Sequence, residues 1–358
     1  MRLICCANTL KMKINSAYIE ITNRCNLNCR DCYNSSGLNK STTELDPDAL
    51  MCFISELKTR FDVKLITISG GEPLLHSRIN EILQAVSEFC NKAPDIAFNF
   101  ITNGTTYNEL FYDMLERDPH FYIQVSLDGP NEYANASMRG EGNFACTVNN
   151  VSKRRFINKP VYKMIINKKN APYVEEYCNY VHSVLGGIPG YAFTAPFGNA
   201  VTNWNEMNLS VMERSGIVVK VRDLYKKLDI KDVSVPLPTS FCGLMPPDPT
   251  FTPCIKSNGS VQPCQNFYDE RFSVGSIYDT DWDAVTSKIN SLCEYLSARL
   301  SLDYGCAKCP LHNKCGRGCP AISVITCGDM LAPDGECEFR KISTLRMVST
   351  RNTMCWDV

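Results

Sequence analysis

Histidine is scarce in this sequence, with four residues in 358, and no nucleophile–base pattern stands out, so ordinary hydrolysis has nothing to rest on. No run of Lys or Arg stands out, and 37 basic residues balance 38 acidic ones. Neither a nucleic acid nor an anionic membrane surface is therefore the indicated partner, and a small or polypeptide ligand fits better. No apolar run approaches the length that spans a bilayer. The segment LICCANTL after Arg2 is a poor export signal: it is short, Asn8 interrupts it, and it leads into a strand-like segment instead of a cleavage site. The expectation is a cytoplasmic protein.

Cysteine, in contrast, is abundant, at 20 residues. In a short secreted chain such density would mean disulfides. Here the chain is long, 44% of it is hydrophobic, and the export signal is missing, so thiolates serving metals are the better reading.

Strand and helix patterns alternate through the first half. Strands are expected at Ala17–Thr22, Val63–Ser69, Ile96–Thr102, Phe121–Leu127, Pro160–Ile166 and Gly190–Pro196. Asp46 with Pro47 makes an N-cap and first-turn pair, and Leu50, Phe53, Ile54 and Leu57 then fall on one helical face. Ser77 is expected to open a second helix, and further helices are expected near 107–116, 144–156, 171–185 and 210–228. Six such units imply an α/β fold, a parallel, right-handed, partial (β/α)6 TIM-like barrel. Ligands of such folds gather where the strands end. From Val235 onward the texture is rich in Pro, Gly and Cys, with one hairpin, FTPCIKSNGSVQPC, turning at Asn258-Gly259. A boundary near Val233 divides 1–233 from 234–358, and the second, loop-rich region needs inorganic cross-links to fold.

The loop after the first strand reads NRCNLNCRDCYN and brings Cys25, Cys29 and Cys32 together. Four thiolates would close a structural zinc or a simple cluster, whereas three on a four-iron cluster leave one iron open to a ligand. This triad, followed by Tyr33, resembles the signature of the radical S-adenosylmethionine (radical SAM) superfamily, and GGEP at the end of the second strand is similar to that family's methionine-amine motif. The resemblance implies a [4Fe-4S] cluster on Cys25, Cys29 and Cys32 that chelates SAM and cleaves it to a 5′-deoxyadenosyl radical. It also implies SAM contacts from Gly70, Gly71, Glu72, Pro73, Asn103, Ser126, Asp128 and Arg139. Gly70 and Gly71 would let the backbone approach the ligand, Glu72 would accept from its ammonium, and Arg139 would grip its carboxylate.

The second region resembles the SPASM domain, on Cys242, Cys254 and Cys264 around the hairpin and CAKCPLHNKCGRGC with Cys306, Cys309, Cys315 and Cys319, ending at Cys337. The resemblance implies two auxiliary [4Fe-4S] clusters, three clusters in all. Cys242, Cys264 and Cys319 belong to the first, and Cys306, Cys309, Cys315 and Cys337 to the second. Cys254 either completes the first cluster or replaces Cys242, and an open site for substrate is the third alternative. The other cysteines, Cys327 among them, are mostly expected as small buried residues. A thiol-rich zinc scaffold is the non-enzyme alternative.

Radical SAM proteins with SPASM domains mostly modify peptides, so the resemblance implies a precursor peptide substrate and an intramolecular C–C or thioether cross-link. Peptide epimerisation, sulfatase-type maturation and tetrapyrrole modification are the alternatives. The sulfatase-maturing branch carries an Asp base after the hairpin's final cysteine, where this chain has Gln265. The stretch ahead of Ala17 is too short for a leader-binding domain, so either a separate protein presents the peptide or the core recognises it alone. A flavodoxin- or ferredoxin-type donor completes the expected partners.

Overall fold

A computed structural model describes residues 13–349, except 38–40 and the single positions 232, 239, 247 and 280. LICCANTL with Cys5 and Cys6, and also Cys355, lie outside the described residues. Six parallel strands follow one another in sequence: β1 (Ser16–Thr22), β2 (Leu65–Gly70), β3 (Ala97–Thr102), β4 (Phe121–Ser126), β5 (Val161–Ile166) and β6 (Ile188–Phe193). The last begins two residues before the expected strand and ends three before it. Between them run α1 (Pro47–Arg60), α2 (Ile79–Lys92), α3 (Glu109–Arg117), α4 (Glu132–Arg139), α5 (Asn143–Val151) and α6 (Val174–Asn179). The fold is α/β with a parallel sheet, as the alternation of patterns implied.

Local chemistry explains the element ends. The Asp46 side chain accepts the amides of Asp48 and Ala49 at 3.0 and 3.1 Å, Pro47 follows it, and α1 buries Leu50, Phe53, Ile54 and Leu57. Ser77 does not cap α2; its hydroxyl turns to Glu44 at 2.5 Å, and Arg78 takes the cap position. The helix expected over 171–185 is broken into a 3-10 turn, the short α6 and a π-helical stretch at Tyr180–Val184. The rings of Phe98, Phe100, Phe111 and Phe121 meet at centroid distances of 5.2 to 6.4 Å in the core.

Two further helices, α7 (Asn199–Met207) and α8 (Val211–Lys227), end the first half, the latter opened by a Ser210–Glu213 capping box. The hairpin follows as β7 (Cys254–Ile255) and β8 (Ser260–Gln262), turning at Gly259 with φ of 90°, and β9 (Gly275–Ser276) pairs with it. Its strand β7 pairs in parallel with β1, setting Tyr18 opposite Cys254, so one nine-stranded sheet runs β6-β5-β4-β3-β2-β1-β7-β8-β9 through both regions. The second region is also more helical than expected. It contains α9 (Trp282–Ser297), α10 (Pro320–Cys327) and α11 (Cys337–Ser349). Trp282, Val285, Ile289 and Leu296 carry the helical period of α9, which the surrounding Pro and Gly masked. Trp282 stacks on Phe53 at 5.5 Å and donates to Glu56 at 2.8 Å, fixing this region to α1.

Candidate active site

The cysteine loop leaves β1 at the strands' carboxyl ends and is held from the far side by α7. The Asn199 backbone donates to Cys32 O and its side chain to Cys29 O, both at 2.9 Å. Asn203 donates to Arg30 O at 3.0 Å, and Arg30 pairs with Glu206. Gly198 permits this contact: at φ +52°, a Cβ there would meet Cys32 O at 2.3 Å and Tyr33 O at 2.4 Å. The sequence reading missed α7 entirely, although Asn199, Asn203 and Glu206 recur on one helical face.

Each thiol of the loop faces a donor. Leu27 N donates to Cys25 Sγ at 3.4 Å, Ser36 N to Cys32 Sγ at 3.3 Å, and Arg139 Nη1 lies 3.8 Å from Cys29 Sγ. Burial pushes the Cys25 thiol up to about 11 and the Cys29 thiol up to about 12. Three soft donors in a site that disfavours free thiolate fit an iron–sulfur cluster, because bound metal supplies the positive charge that a thiolate needs there.

The GGEP segment packs closely against the root of the cysteine loop. A Cβ on Gly70 would meet Thr22 O at 2.2 Å, and one on Gly71 would meet Arg24 O at 2.2 Å. These glycines seat β2 against the root of the cysteine loop, where the backbones approach too closely for a side chain. Glu72 is fully buried, and its carboxylate accepts Thr102 Oγ1 and Asn103 N, both at 2.7 Å. It braces the third loop from inside the fold. Pro73 opens a 3-10 turn beside it. Asn103 in turn donates to Asn26 Oδ1 at 3.0 Å, next to the cysteines.

Asp128 and Arg139 also turn inward. Arg139 Nε lies 2.7 Å from Asp128 Oδ2, with side chains 10% and 0% exposed, and Asp128 Oδ1 accepts Ile165 N at 2.7 Å. The pair ties the loop after β4 to the end of α4 from inside the fold. Ser126 closes β4 on the same rim, opposite Lys163 of β5. Burial pushes the nearby Asp31 carboxyl up to about 7, the Asp128 charge adds to this, and Arg139 opposes it.

In the second region Cys306, Cys309, Cys315 and Cys337 line one cavity of about 390 Å³. Burial pushes Cys242 up to about 12 and Cys264 up to about 11, and the neighbouring thiol Cys319 acts on both in the same direction. Cys254 is buried on β7, 4.0 Å from Glu20 Oε1, which also pairs with Lys256 at 3.1 Å. Cys90, Cys178 and Cys293 are buried as expected of small core residues, but Cys52, Cys146 and Cys327 are exposed. Every described cysteine is a free thiol. Among the described residues, no three His, Cys, Asp or Glu side chains are drawn together closely enough to hold a single metal ion.

A second cavity, of about 500 Å³, opens between the two halves. Asp31 and Tyr33 of the cysteine loop and Cys319 with Gln265 of the second region all line it, and Phe193, Phe197, Trp204 and Phe339 give it aromatic walls.

Comparison with known proteins places this geometry. The profile of the radical SAM superfamily matches residues 19–167, which hold β1 to β5 and all the loops described at the rim. Residues 19–167 are a radical SAM domain. A domain of this family works with SAM and a [4Fe-4S] cluster. The mycofactocin maturase MftC of Mycolicibacterium smegmatis is 25% identical over 334 residues, 89% of this chain and 81% of its own length. AlbA, the antilisterial bacteriocin subtilosin biosynthesis protein of Bacillus subtilis, is 26% identical over 332 residues, 87% of this chain and 68% of its own. Among solved structures, Streptococcus suis SuiB bound to S-adenosylmethionine superposes with a TM-score of 0.71 at 14% identity, covering 91% of this chain and 77% of SuiB, which marks a shared fold. No described helix is long and apolar enough to cross a membrane.

Proposed function

We propose that this enzyme matures a ribosomally made precursor peptide by an intramolecular C–C or thioether cross-link. The observation that carries the reading is the 500 Å³ cavity, lined both by Asp31 and Tyr33 of the cysteine loop and by Cys319 of the second region. The names of MftC and AlbA support it, a maturase and a bacteriocin biosynthesis protein that align along most of this chain.

In this reading Cys25, Cys29 and Cys32 ligate the SAM-binding cluster and leave one iron open. When bound, the cluster and SAM supply a 5′-deoxyadenosyl radical that takes a hydrogen atom from the substrate. Backbone at Gly70–Pro73, Asn103 and Ser126 forms the rim on which SAM lies, while Glu72, Asp128 and Arg139 fix that rim from beneath. Asn199 and Asn203 hold the cysteine loop in register. The aromatic walls of the cavity exclude water from the reacting segment. Residues 234–358 form the SPASM unit: Cys242, Cys264 and Cys319, with Cys254 as the nearest further thiol, hold one auxiliary cluster, and Cys306, Cys309, Cys315 and Cys337 hold the other. A flavodoxin- or ferredoxin-type protein supplies the electron, and a separate protein or the core itself recognises the leader. Free thiols throughout the described chain suit a reducing cytoplasm.

Anaerobic reconstitution of wild type and of the Cys25→Ala/Cys29→Ala/Cys32→Ala variant tests the assignment. The expected result is about twelve irons in wild type, three clusters of the four-iron type, with the variant losing about a third of them and all 5′-deoxyadenosine formation. Near-normal 5′-deoxyadenosine from the variant would sink it.

A further inference from the structure

Two arginines lie in the interior of the second region, Arg299 at 0% and Arg317 at 4% exposure, and neither pairs with a carboxylate among the described residues. Arg299 gives its Nη atoms to the carbonyls of Arg317, at 2.8 Å, and Met330, and to Ser323 Oγ at 3.3 Å. Arg317 lines the cavity of Cys306, Cys309, Cys315 and Cys337. Its Nη2 donates to Leu302 O, its guanidinium carbon lies 5.4 Å from the Tyr304 ring centroid, and its buried Nη1 has no partner among the described residues. Its own amide donates to Cys315 Sγ at 3.3 Å. The chain accepts a left-handed φ of 67° at this non-glycine residue, between Gly316 and Gly318, to put the side chain there. Arg340, by contrast, is neutralised by Asp334, Nη1 to Oδ2 at 3.0 Å and Nη2 to Oδ1 at 2.5 Å.

A buried cation without an anion is costly, and carbonyls and a tyrosine face offset only part of that cost. What remains calls for negative charge in the cavity that Arg317 lines. Four thiolates on an iron–sulfur core supply it, since together they outweigh the core's positive charge. We propose that Arg317 is a positioning residue for the electrostatics of this centre: its uncompensated guanidinium raises the reduction potential of a four-iron cluster held by Cys306, Cys309, Cys315 and Cys337. Net charge and hydrogen bonds to the sulfurs are the levers that set such potentials. Reduction adds one electron and no proton to an already anionic centre, and a cation alongside stabilises the reduced state more than the oxidised one. In the proposed reaction that electron comes from the substrate radical as the cross-link closes and releases one proton to solvent, and the centre passes the electron on to an external one-electron carrier. The inference rests on the assignment of that cluster to these four cysteines.

The test is a potentiometric titration of the reconstituted full-length holoenzyme followed by electron paramagnetic resonance, with iron analysis alongside. Arg317→Met should keep its iron and lower the reduction equilibrium of one cluster at least tenfold, 59 mV for a one-electron couple. Arg317→Lys, which keeps the charge but not the fork, should recover most of the shift. If Arg317→Met folds poorly, Arg317→Gln keeps donors for Leu302 O without the charge and carries the same expectation. An unchanged potential in a neutral variant, or a Lys variant shifted as far as the neutral one, would reduce Arg317 to a carbonyl-holding residue and overturn the proposal. Cys306→Ala/Cys309→Ala checks the assignment separately: iron and spectra unchanged from wild type would overturn the cluster assignment itself, whatever Arg317 does.

Discussion

The Glu72 carboxylate accepts the backbone amide of Asn103 at 2.7 Å across two neighbouring loops of the barrel rim. Thr102 adds its hydroxyl at 2.7 Å and Leu74 its amide at 3.3 Å, so one buried side chain ties the end of β2 to the end of β3. The rim's shape is therefore carried by a group that points away from the cavity.

Removing it with Glu72→Ala leaves the amides of Asn103 and Leu74 and the Thr102 hydroxyl without their acceptor, a cost on the order of 1 to 3 kcal/mol for each lost partner. The expected outcome is a lower denaturation midpoint and weaker SAM binding with cluster content retained. Equilibrium unfolding and SAM titration of the reconstituted protein check it; a variant with native stability would return Glu72 to the ligand-facing role.

Gly198→Ala should act on the cysteine loop from outside the barrel. The new Cβ would sit 2.3 Å from Cys32 O at a φ of +52°, so the loop or α7 must shift. Iron bound to the Cys25, Cys29 and Cys32 site is expected to fall, while the thiol groups of the second region load normally. Iron analysis with the spectrum of the SAM-bound enzyme separates the two. Full loading of all sites would mean that α7 does not set the loop.

A pH dependence follows from His76, which is buried at the end of the turn after GGEP. Its Nε2 lies 2.9 Å from Leu45 O and its Nδ1 accepts Arg78 N at 3.0 Å, an arrangement that only the neutral ring satisfies. Burial holds its pKa below the ordinary 6.5, with Leu45 O and Glu44 opposing. The folded state then binds fewer protons than the unfolded one below that value. The stability from His76 is fully present above pH 6.5 and is lost as pH falls from there toward the lowered folded value. Denaturant midpoints measured between neutral and mildly acid pH should decline, and His76→Gln should flatten that slope.

The barrel was legible in the sequence because its signals are local. Strand runs such as LITISG and the Asp46-Pro47 cap state their structure within a few residues. The cysteine triad was legible for the same reason. Contacts between distant elements were not: nothing local announces that β7 would pair with β1, or that Asn199 and Asn203 would reach back to the cysteine loop. Glu72, Asp128 and Arg139 are of types that suit both ligand contact and internal bracing, and their sequence context pointed only to the first. The internal bracing was not legible, because it rests on contacts between loops far apart in sequence, within which Glu72 and Asp128 are 0% exposed.

Hydrogen bookkeeping discriminates cross-linking from epimerisation. In a cross-link the abstracted hydrogen ends in 5′-deoxyadenosine, the product loses two hydrogens, and the second electron leaves through the thiol-rich region. In an epimerisation the product keeps its mass in ordinary water, and in D2O one deuterium enters from an exchangeable thiol. The fold narrows the candidates for that thiol. Cys254 is fully buried against Glu20 and Lys256, with no place on the cavity wall, so it is a poor hydrogen donor. Cys327 is exposed and follows the cavity residue Thr326, with its thiol 3.5 Å from Pro333 O, so it is the thiol to test. The expected outcome is a product lighter by two hydrogens, without solvent deuterium, with activity surviving Cys327→Ala. Mass spectrometry of the peptide in both solvents decides the matter: one deuterium at unchanged hydrogen count, abolished by Cys327→Ala, would establish epimerisation instead.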